Sequence, residues 1–271
     1  MTAKKISILG CGWLGLPLAE AFVRQGYEVH GSTTTPEKLT LLAEKQILPY
    51  QIELNTLELK PENQLFFDNE ILIVNIPPKR NSGNNYAQQI NNLQQALLRS
   101  TVKKVIFVSS TSVYQPALEE ITEASTLDHE NAKELLEAES IIANDGNPWQ
   151  TTIIRFAGLF GSGRAPGRFI AGKTDLPDPE APVNFIHLED CIQIIQEIVK
   201  QEKWKEIFNA CADEHPSRKV FYTEAARKLQ FPAPTFEAKK VGKKPEKLIS
   251  NQKLKETLHY KFTFPDPLKA L

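Results

Sequence analysis

An α/β fold built on a doubly wound parallel sheet, with a small C-terminal lobe, is the architecture this sequence predicts. Three observations carry that expectation. Short apolar runs alternate with helical patterns over residues 1–160. The runs are almost continuously apolar, as in strands covered on both faces. A glycine-rich turn, Gly10-Cys11-Gly12-Trp13-Leu14-Gly15, joins the first run to the first helical pattern.

The elements follow in order. Residues 6–9 read as a strand, and 14–25 place Leu14, Leu18, Ala21 and Phe22 at helical spacing before a stop at Gly26. Pro17 is tolerated because it falls in the first turn. Further strands are expected at 27–32, 71–76, 105–109 and 151–156, with helices at 36–45, 86–98 and 128–143. Beyond residue 160 the glycines of 161–172 and the prolines Pro177, Pro179 and Pro182 read as a loop-rich lobe. A helix at 190–200, a strand at 206–210 and short helices at 217–229 and 251–258 complete the reading.

The glycine turn carries the chemistry. In a strand–turn–helix context the G-x-G-x-x-G pattern is a dinucleotide-binding fingerprint, which makes the expected fold Rossmann-type. Gly10 permits the tight turn, Gly12 the approach of a pyrophosphate, and Gly15 the close packing of helix on strand. The helix N-terminus offers unpaired N–H groups to phosphate. A carboxylate usually ends the second strand and holds the ribose hydroxyls. Here the sequence reads Ser32-Thr33-Thr34, with Lys38 nearby. NADP is therefore the expected cofactor and NAD the alternative. Asn75-Ile76-Pro77-Pro78 ends another strand, in a stiff loop suited to the ribose or the pyrophosphate.

Composition excludes several classes. Lys and Arg total 32 against 33 for Asp and Glu, a net charge of −1 that argues against a nucleic-acid-coating protein. No apolar run approaches the ~20 residues that span a bilayer. No signal core opens the chain, so a cytoplasmic location is expected. Cys11, Cys191 and Cys211 are odd in number and widely spaced, which fits neither a disulfide framework nor a metal site. No membrane or nucleic-acid partner is expected, and a homodimer is left open.

Five segments in sequence carry a resemblance. They are the glycine turn, Val108-Ser109-Ser110-Thr111-Ser112-Val113-Tyr114, the Arg155–Arg164 segment, Asn184-Phe185-Ile186-His187-Leu188-Glu189-Asp190, and Ile249-Ser250-Asn251-Gln252-Lys253-Leu254. Together they resemble an atypical extended-type short-chain dehydrogenase/reductase, of the NAD-dependent epimerase/dehydratase-like, sugar-nucleotide epimerase-related kind. The resemblance implies an NAD(P)-binding Rossmann domain over 1–160, to which the chain returns at about 187–210. It also implies a substrate-binding lobe from 161–186 and 211–271. Ser110 takes the position that orients the reacting oxygen. Phe156 and Gly158 fall where backbone lines the nicotinamide. Arg164 and Arg168 fall where the lobe would hold a sugar-nucleotide phosphate or carboxylate.

One departure stands out. The expected Tyr-x-x-x-Lys motif is absent: Lys133 fits the lysine, but His129 occupies the tyrosine position. On a helix over 128–143 the two would share a face, and a His–Lys pair is a workable general base. The bland alternative is an exposed histidine behind an Asp128 N-cap, with Lys133 kept for the cofactor ribose. Tyr114 fits a non-catalytic position. His187 reads as a structural hydrogen-bonder, Asp190 as an N-cap, Cys11 as a packing residue, and the lysines at 239, 240, 243, 244 and 247 as a solvated basic face.

The expected function is an NAD(P)-dependent oxidoreductase, or an epimerase or dehydratase, acting on a sugar or sugar nucleotide. The alternative is a catalytically silent NAD(P)-binding sensor or interaction protein.

Overall fold

The computed structural model describes residues 4–55, 61–78, 86–238 and 245–271. Lys239, Lys240, Lys243 and Lys244 of the expected basic face lie outside them. The strands are β1 Lys5–Leu9, β2 Glu28–Thr33, β3 Leu48–Gln51, β4 Ile71–Val74, β5 Lys104–Ser110, β6 Gln150–Phe156, β7 Gly158–Phe160, β8 Phe185–His187 and β9 Ile207–Ala210. The helices are α1 Gly15–Arg24, α2 Lys38–Glu44, α3 Tyr86–Leu97, α4 Lys133–Ile142, α5 Leu188–Lys200, α6 Arg218–Lys228 and α7 Gln252–Leu258.

Among the described residues, seven strands form one sheet in the order β3-β2-β1-β4-β5-β6-β9. β1 pairs in parallel with both β2 and β4, β2 with β3, and β4 with β5. The strand order therefore reverses at β1, and the crevice beside the carboxyl ends of β1 and β4 is the place where doubly wound sheets take ligands. The apolar runs are apolar because they are enclosed: Ile6, Ile8, Leu72, Ile73, Val105, Ile106 and Phe107 are buried. The exception on β1 is Ser7. Its hydroxyl donates to the Phe66 carbonyl and accepts from Asn69 Nδ2, so the buried polar group is satisfied.

The chain divides into two compact units. One comprises 1–109, 129–154 and 195–207; the other comprises 110–128, 155–194 and 208–271. In the first unit α3 and α4 pack on each other. In the second unit β7 and β8 pair in parallel, and an aromatic cluster forms beside them, with Phe185 stacked on Phe221 at 4.6 Å. Tyr114 and Arg155 are buried there. Arg155 Nη1 donates to the Tyr114 hydroxyl at 2.7 Å, and that hydroxyl donates to Asn209 Oδ1 at 2.8 Å.

Several expectations need correction. The helix expected at 128–143 begins only at Lys133, with Ala132 at its N-cap and no side-chain cap. The reason is that the preceding segment is spent elsewhere. Asp128 N–H donates to the Val113 carbonyl at 2.7 Å, and Leu127 bridges to Tyr114. Asp128 is therefore not an N-cap, and His129 sits in a turn rather than on the helix. Asp190 is not an N-cap either. Helix α5 starts two residues earlier, at Leu188, and the buried Asp190 carboxylate holds the C-terminal segment instead. Strand β3 was absent from the sequence reading; it is an edge strand, the setting in which Pro49 is tolerated. Strands β7 and β8 were not expected either; they flank the loop-rich stretch.

Candidate functional site

The glycine turn shows three different reasons for three glycines. Gly10 has φ +101°, and a Cβ there would lie 2.5 Å from the Asn75 carbonyl oxygen. A Cβ on Gly15 would lie 2.1 Å from the Gly10 carbonyl oxygen, so helix and turn touch backbone to backbone. Gly12 is different: it is exposed, its φ is not positive, and a Cβ on it would meet nothing within 4 Å. Neither conformation nor protein packing requires glycine at 12. Leu14, at the N-cap of α1, is buried and supplies no side-chain cap. Trp13 beside it is half-buried.

Strand β2 and the Asn75 loop brace this turn. Gly10 N–H donates to Ser32 Oγ at 3.0 Å, and Cys11 N–H donates to the Ser32 carbonyl at 2.7 Å. Asn75 N–H donates to the Leu9 carbonyl at 2.9 Å, and its Nδ2 donates to the Gly10 carbonyl at 3.1 Å. Cys11 packs inward beside Gly31, and burial pushes its thiol up to about 12. It is a packing residue.

Around the turn lies a cleft of ≈ 440 Å³, within the usual size range of small-molecule sites. Its walls are the carboxyl ends of four neighbouring strands. Leu9–Gly12 follow β1, Ser32–Thr35 end β2, Ile52–Asn55 follow β3, and Asn75–Pro77 follow β4; Lys38 and Gln89 complete it. The expected residues Gly10, Gly12, Ser32, Thr33, Thr34, Asn75, Ile76 and Pro77 are thus brought together. Their roles are unequal. Ser32 and Thr33 are buried, with Ser32 Oγ accepting from Gly10 and Thr33 Oγ1 accepting from Thr35 N–H at 3.1 Å. Thr34 and Lys38 are the exposed polar groups of that wall. A second cleft of ≈ 390 Å³, among Asn144, Trp149 and Lys205, lies by the amino ends of β6 and β9 and has no glycine turn.

The remaining expected residues are distributed as follows. Ser110 ends β5 in the second unit, half-buried; its Oγ accepts from Ser112 N–H at 3.1 Å and caps a one-turn 3₁₀ helix, Thr111–Val113. His129 is exposed in its turn, and Lys133 is the exposed first residue of α4, both in the first unit. The shared helix face expected for this pair does not exist, because only Lys133 is helical. Phe156 is buried at the end of β6, while Gly158 is exposed, with its N–H on the Asn184 carbonyl and its Cα against the Phe185 ring. Arg164 and Arg168 are exposed in the glycine-rich segment of the second unit. His187 Nδ1 accepts from Glu189 N–H, and its ring packs on Phe264, a structural role.

Sequence reasoning missed the wall after β3. Glu53 and Asn55 line the cleft, and Asn55 Oδ1 accepts from Gln89 Nε2 at 2.9 Å. The short apolar stretch of Ile47, Leu48, Tyr50 and Ile52 is the only trace of it in the sequence, and it lacks strand periodicity. Also missed was Glu139, buried on α4, which accepts from the Ser109 hydroxyl.

Comparison with solved structures fixes the fold. UDP-glucose 4-epimerase of Thermotoga maritima, solved with UDP-glucose, matches with TM-score 0.78 at 14% identity, over 98% of this chain and 96% of that one. A short-chain dehydrogenase/reductase superfamily protein of Agrobacterium tumefaciens, solved with bound NAD, matches with TM-score 0.75 at 16% identity, over 95% and 92%. The fold is therefore that of the epimerase-related, extended short-chain dehydrogenase/reductases. No family model matches the chain. In sequence it is 34% identical over 272 residues to protein YeeZ of Escherichia coli K12, an alignment covering 98% of each chain. The chain belongs to the YeeZ family. Among the described residues no helix is long and apolar enough to cross a membrane.

Proposed function

We propose that this protein is an NAD(P)-dependent oxidoreductase acting on a hydroxyl or carbonyl carbon of a sugar or sugar nucleotide. The observation that carries the reading is Gly12. Its bare backbone faces open space beside the uncapped N-terminus of α1, where a pyrophosphate needs room and N–H donors. Gly10, Gly15 and Asn75 fix the shape of that cradle, and the cleft beyond it takes the adenosine end. A bound nicotinamide dinucleotide supplies hydride chemistry. This chain's residues bind it, orient the substrate oxygen through Ser110, and move the proton.

Lys133 is assigned to the cofactor ribose. A lysine at the first position of a helix opposes the helix dipole, which disfavours a cation there. A binding role accounts for its presence. Arg164 and Arg168 are assigned to the substrate's phosphate or carboxylate, for which guanidinium geometry is suited. The finer reading is a preference for NADP. Thr34 and Lys38 stand exposed at the cleft, and no carboxylate ends β2.

Titration with NADPH and NADH tests both levels. NADPH is expected to bind more tightly, and Lys38→Ala to reduce that ratio by about tenfold, the value of one phosphate contact near 1.4 kcal/mol. Equal or tighter NADH binding overturns the preference, and binding of neither overturns the reading. His129 is left out of the mechanism on its exposure and its place off the helix. His129→Gln is expected to keep turnover, whereas loss of a general base costs roughly 100-fold or more. A fall of that size would return His129 to the site. The missing tyrosine favours a second reading, a dinucleotide-binding sensor. It requires binding without turnover on carbonyls and sugar nucleotides.

A further inference from the structure

We propose that Gln89 reads the base of the dinucleotide: its side-chain amide pairs with the exocyclic amine and the adjacent ring nitrogen of adenine, and makes the cleft selective among purines. The inference rests on the oxidoreductase reading and deepens it. It names the residue that recognises the end of the cofactor farthest from the chemistry.

The order of the strands sets the order of the cofactor's parts. The glycine turn after β1 is assigned to the pyrophosphate, and the end of β2, with Thr34 and Lys38, to the ribose. The next strand outward is β3. A base joined to that ribose therefore lies against the wall after β3. Three polar side chains line the cleft there: Glu53, Asn55 and, from α3, Gln89.

Helix α3 is tied to two walls of this cleft. The Tyr86 hydroxyl donates to the Ile76 carbonyl at 2.9 Å, in the loop after β4. The buried Asn92 donates from Nδ2 to the Leu54 carbonyl at 2.7 Å, after β3, and its Oδ1 accepts from Gln88 Nε2 at 3.0 Å. Tyr86, Gln89 and Asn92 recur at every third position, so Gln89 stands between the two anchors on the face they define. Its own bond completes the frame, with Nε2 donating to Asn55 Oδ1 at 2.9 Å. Among the described residues this is the one hydrogen bond of the Gln89 side chain. An amide nitrogen carries two hydrogens. The second hydrogen and Oε1 remain, donor beside acceptor, on a planar group that Asn55 orients.

Adenine presents the matching pair. Its N6 amine donates and its N7 accepts, and a glutamine amide meets both at once. Glu53 differs in kind: an ionised carboxylate only accepts, so it takes an amine but not the ring nitrogen beside it. Hypoxanthine is the informative misfit. It carries a carbonyl oxygen where adenine carries N6, so an acceptor would face the acceptor Oε1. Turning the amide over to suit it would set Oε1 against Asn55 Oδ1.

Titration of each adenine dinucleotide against its hypoxanthine counterpart, NADPH and NADH alike, tests the proposal through the fluorescence of the reduced nicotinamide. The unaltered protein is expected to bind the adenine form about tenfold more tightly. Gln89→Leu is expected to bring the two affinities together by weakening the adenine form, with Tm unchanged. Gln89→Asn, which withdraws the amide by one methylene, is expected to do the same. Glu53→Gln is expected to leave the ratio as it was. A ratio that survives Gln89→Leu, with both forms weakened alike, would mean that Gln89 only braces the wall, and overturns the proposal. A ratio lost with Glu53→Gln overturns it in favour of the carboxylate. If the unaltered protein binds adenine and hypoxanthine dinucleotides equally, the proposal alone falls. If it binds neither, the oxidoreductase reading falls and the proposal with it.

Discussion

Gly12→Val is expected to abolish measurable dinucleotide binding and to leave thermal unfolding nearly unchanged, whereas Gly15→Ala is expected to do the reverse first. The contrast follows from what each added carbon meets. At Gly12 a Cβ meets no protein atom within 4 Å, so the folded state has room for it. That room is the space proposed for the pyrophosphate, and a branched side chain would fill it. A loss on the order of 100-fold in affinity, near 2.7 kcal/mol, is expected. At Gly15 the added carbon would stand 2.1 Å from a backbone oxygen of Gly10. Backbone cannot rotate away as a side chain can, so α1 must shift off the turn. A cost of roughly 3 kcal/mol is expected, about 6–12 °C in Tm for a chain of this size. Calorimetry and a fluorescence titration on the two variants read both quantities. A Gly12→Val protein that binds normally would show that the fingerprint serves packing alone. A Gly15→Ala protein with an unchanged Tm would show that the turn is looser than described.

Asp190→Ala carries the second large effect. The carboxylate is 0% exposed. Its Oδ1 accepts from the Tyr260 hydroxyl at 2.8 Å and from Thr263 N–H at 2.7 Å, and its Oδ2 accepts from Phe264 N–H at 3.0 Å. Removing it takes the acceptor from the Thr263 and Phe264 N–H groups, while the Tyr260 hydroxyl keeps Gln193 Oε1 at 3.0 Å. Unsatisfied buried groups cost about 1–3 kcal/mol each and these two are only partly enclosed, so a loss of roughly 2–4 kcal/mol is expected after relaxation. Asp190→Asn keeps one acceptor and turns an N–H₂ toward one of the donors, so it should fall between. Urea unfolding gives the order, and limited proteolysis should show the segment after Tyr260 cut first in the alanine variant. Equal stability of all three proteins would mean that the tail is held by its apolar contacts, such as that of Phe264 with His187.

The two aspartates explain where sequence reading succeeded and failed. Asp128 and Asp190 both precede helical patterns, and local spacing makes each an N-cap. In the fold neither is. Asp128 is committed by its backbone to Val113, a residue fifteen positions earlier, and Asp190 to Tyr260–Phe264, some seventy positions later. Local grammar can find a carboxylate that needs donors; it cannot see donors that arrive from elsewhere in the chain. The glycine turn was legible for the opposite reason, since strand, turn and helix are contiguous. The wall after β3 was not, because a four-residue edge strand containing Pro49 leaves almost no periodic signal.

The division of the chain into units has a consequence for how the molecule comes into being. The first unit needs residues 195–207, and the second is completed only by the segment 208–271. A ribosome must therefore release most of the polypeptide before either unit has all its parts. Each unit is a braid of three separated stretches, so a single genetic crossover cannot trade one for a homologue's version intact.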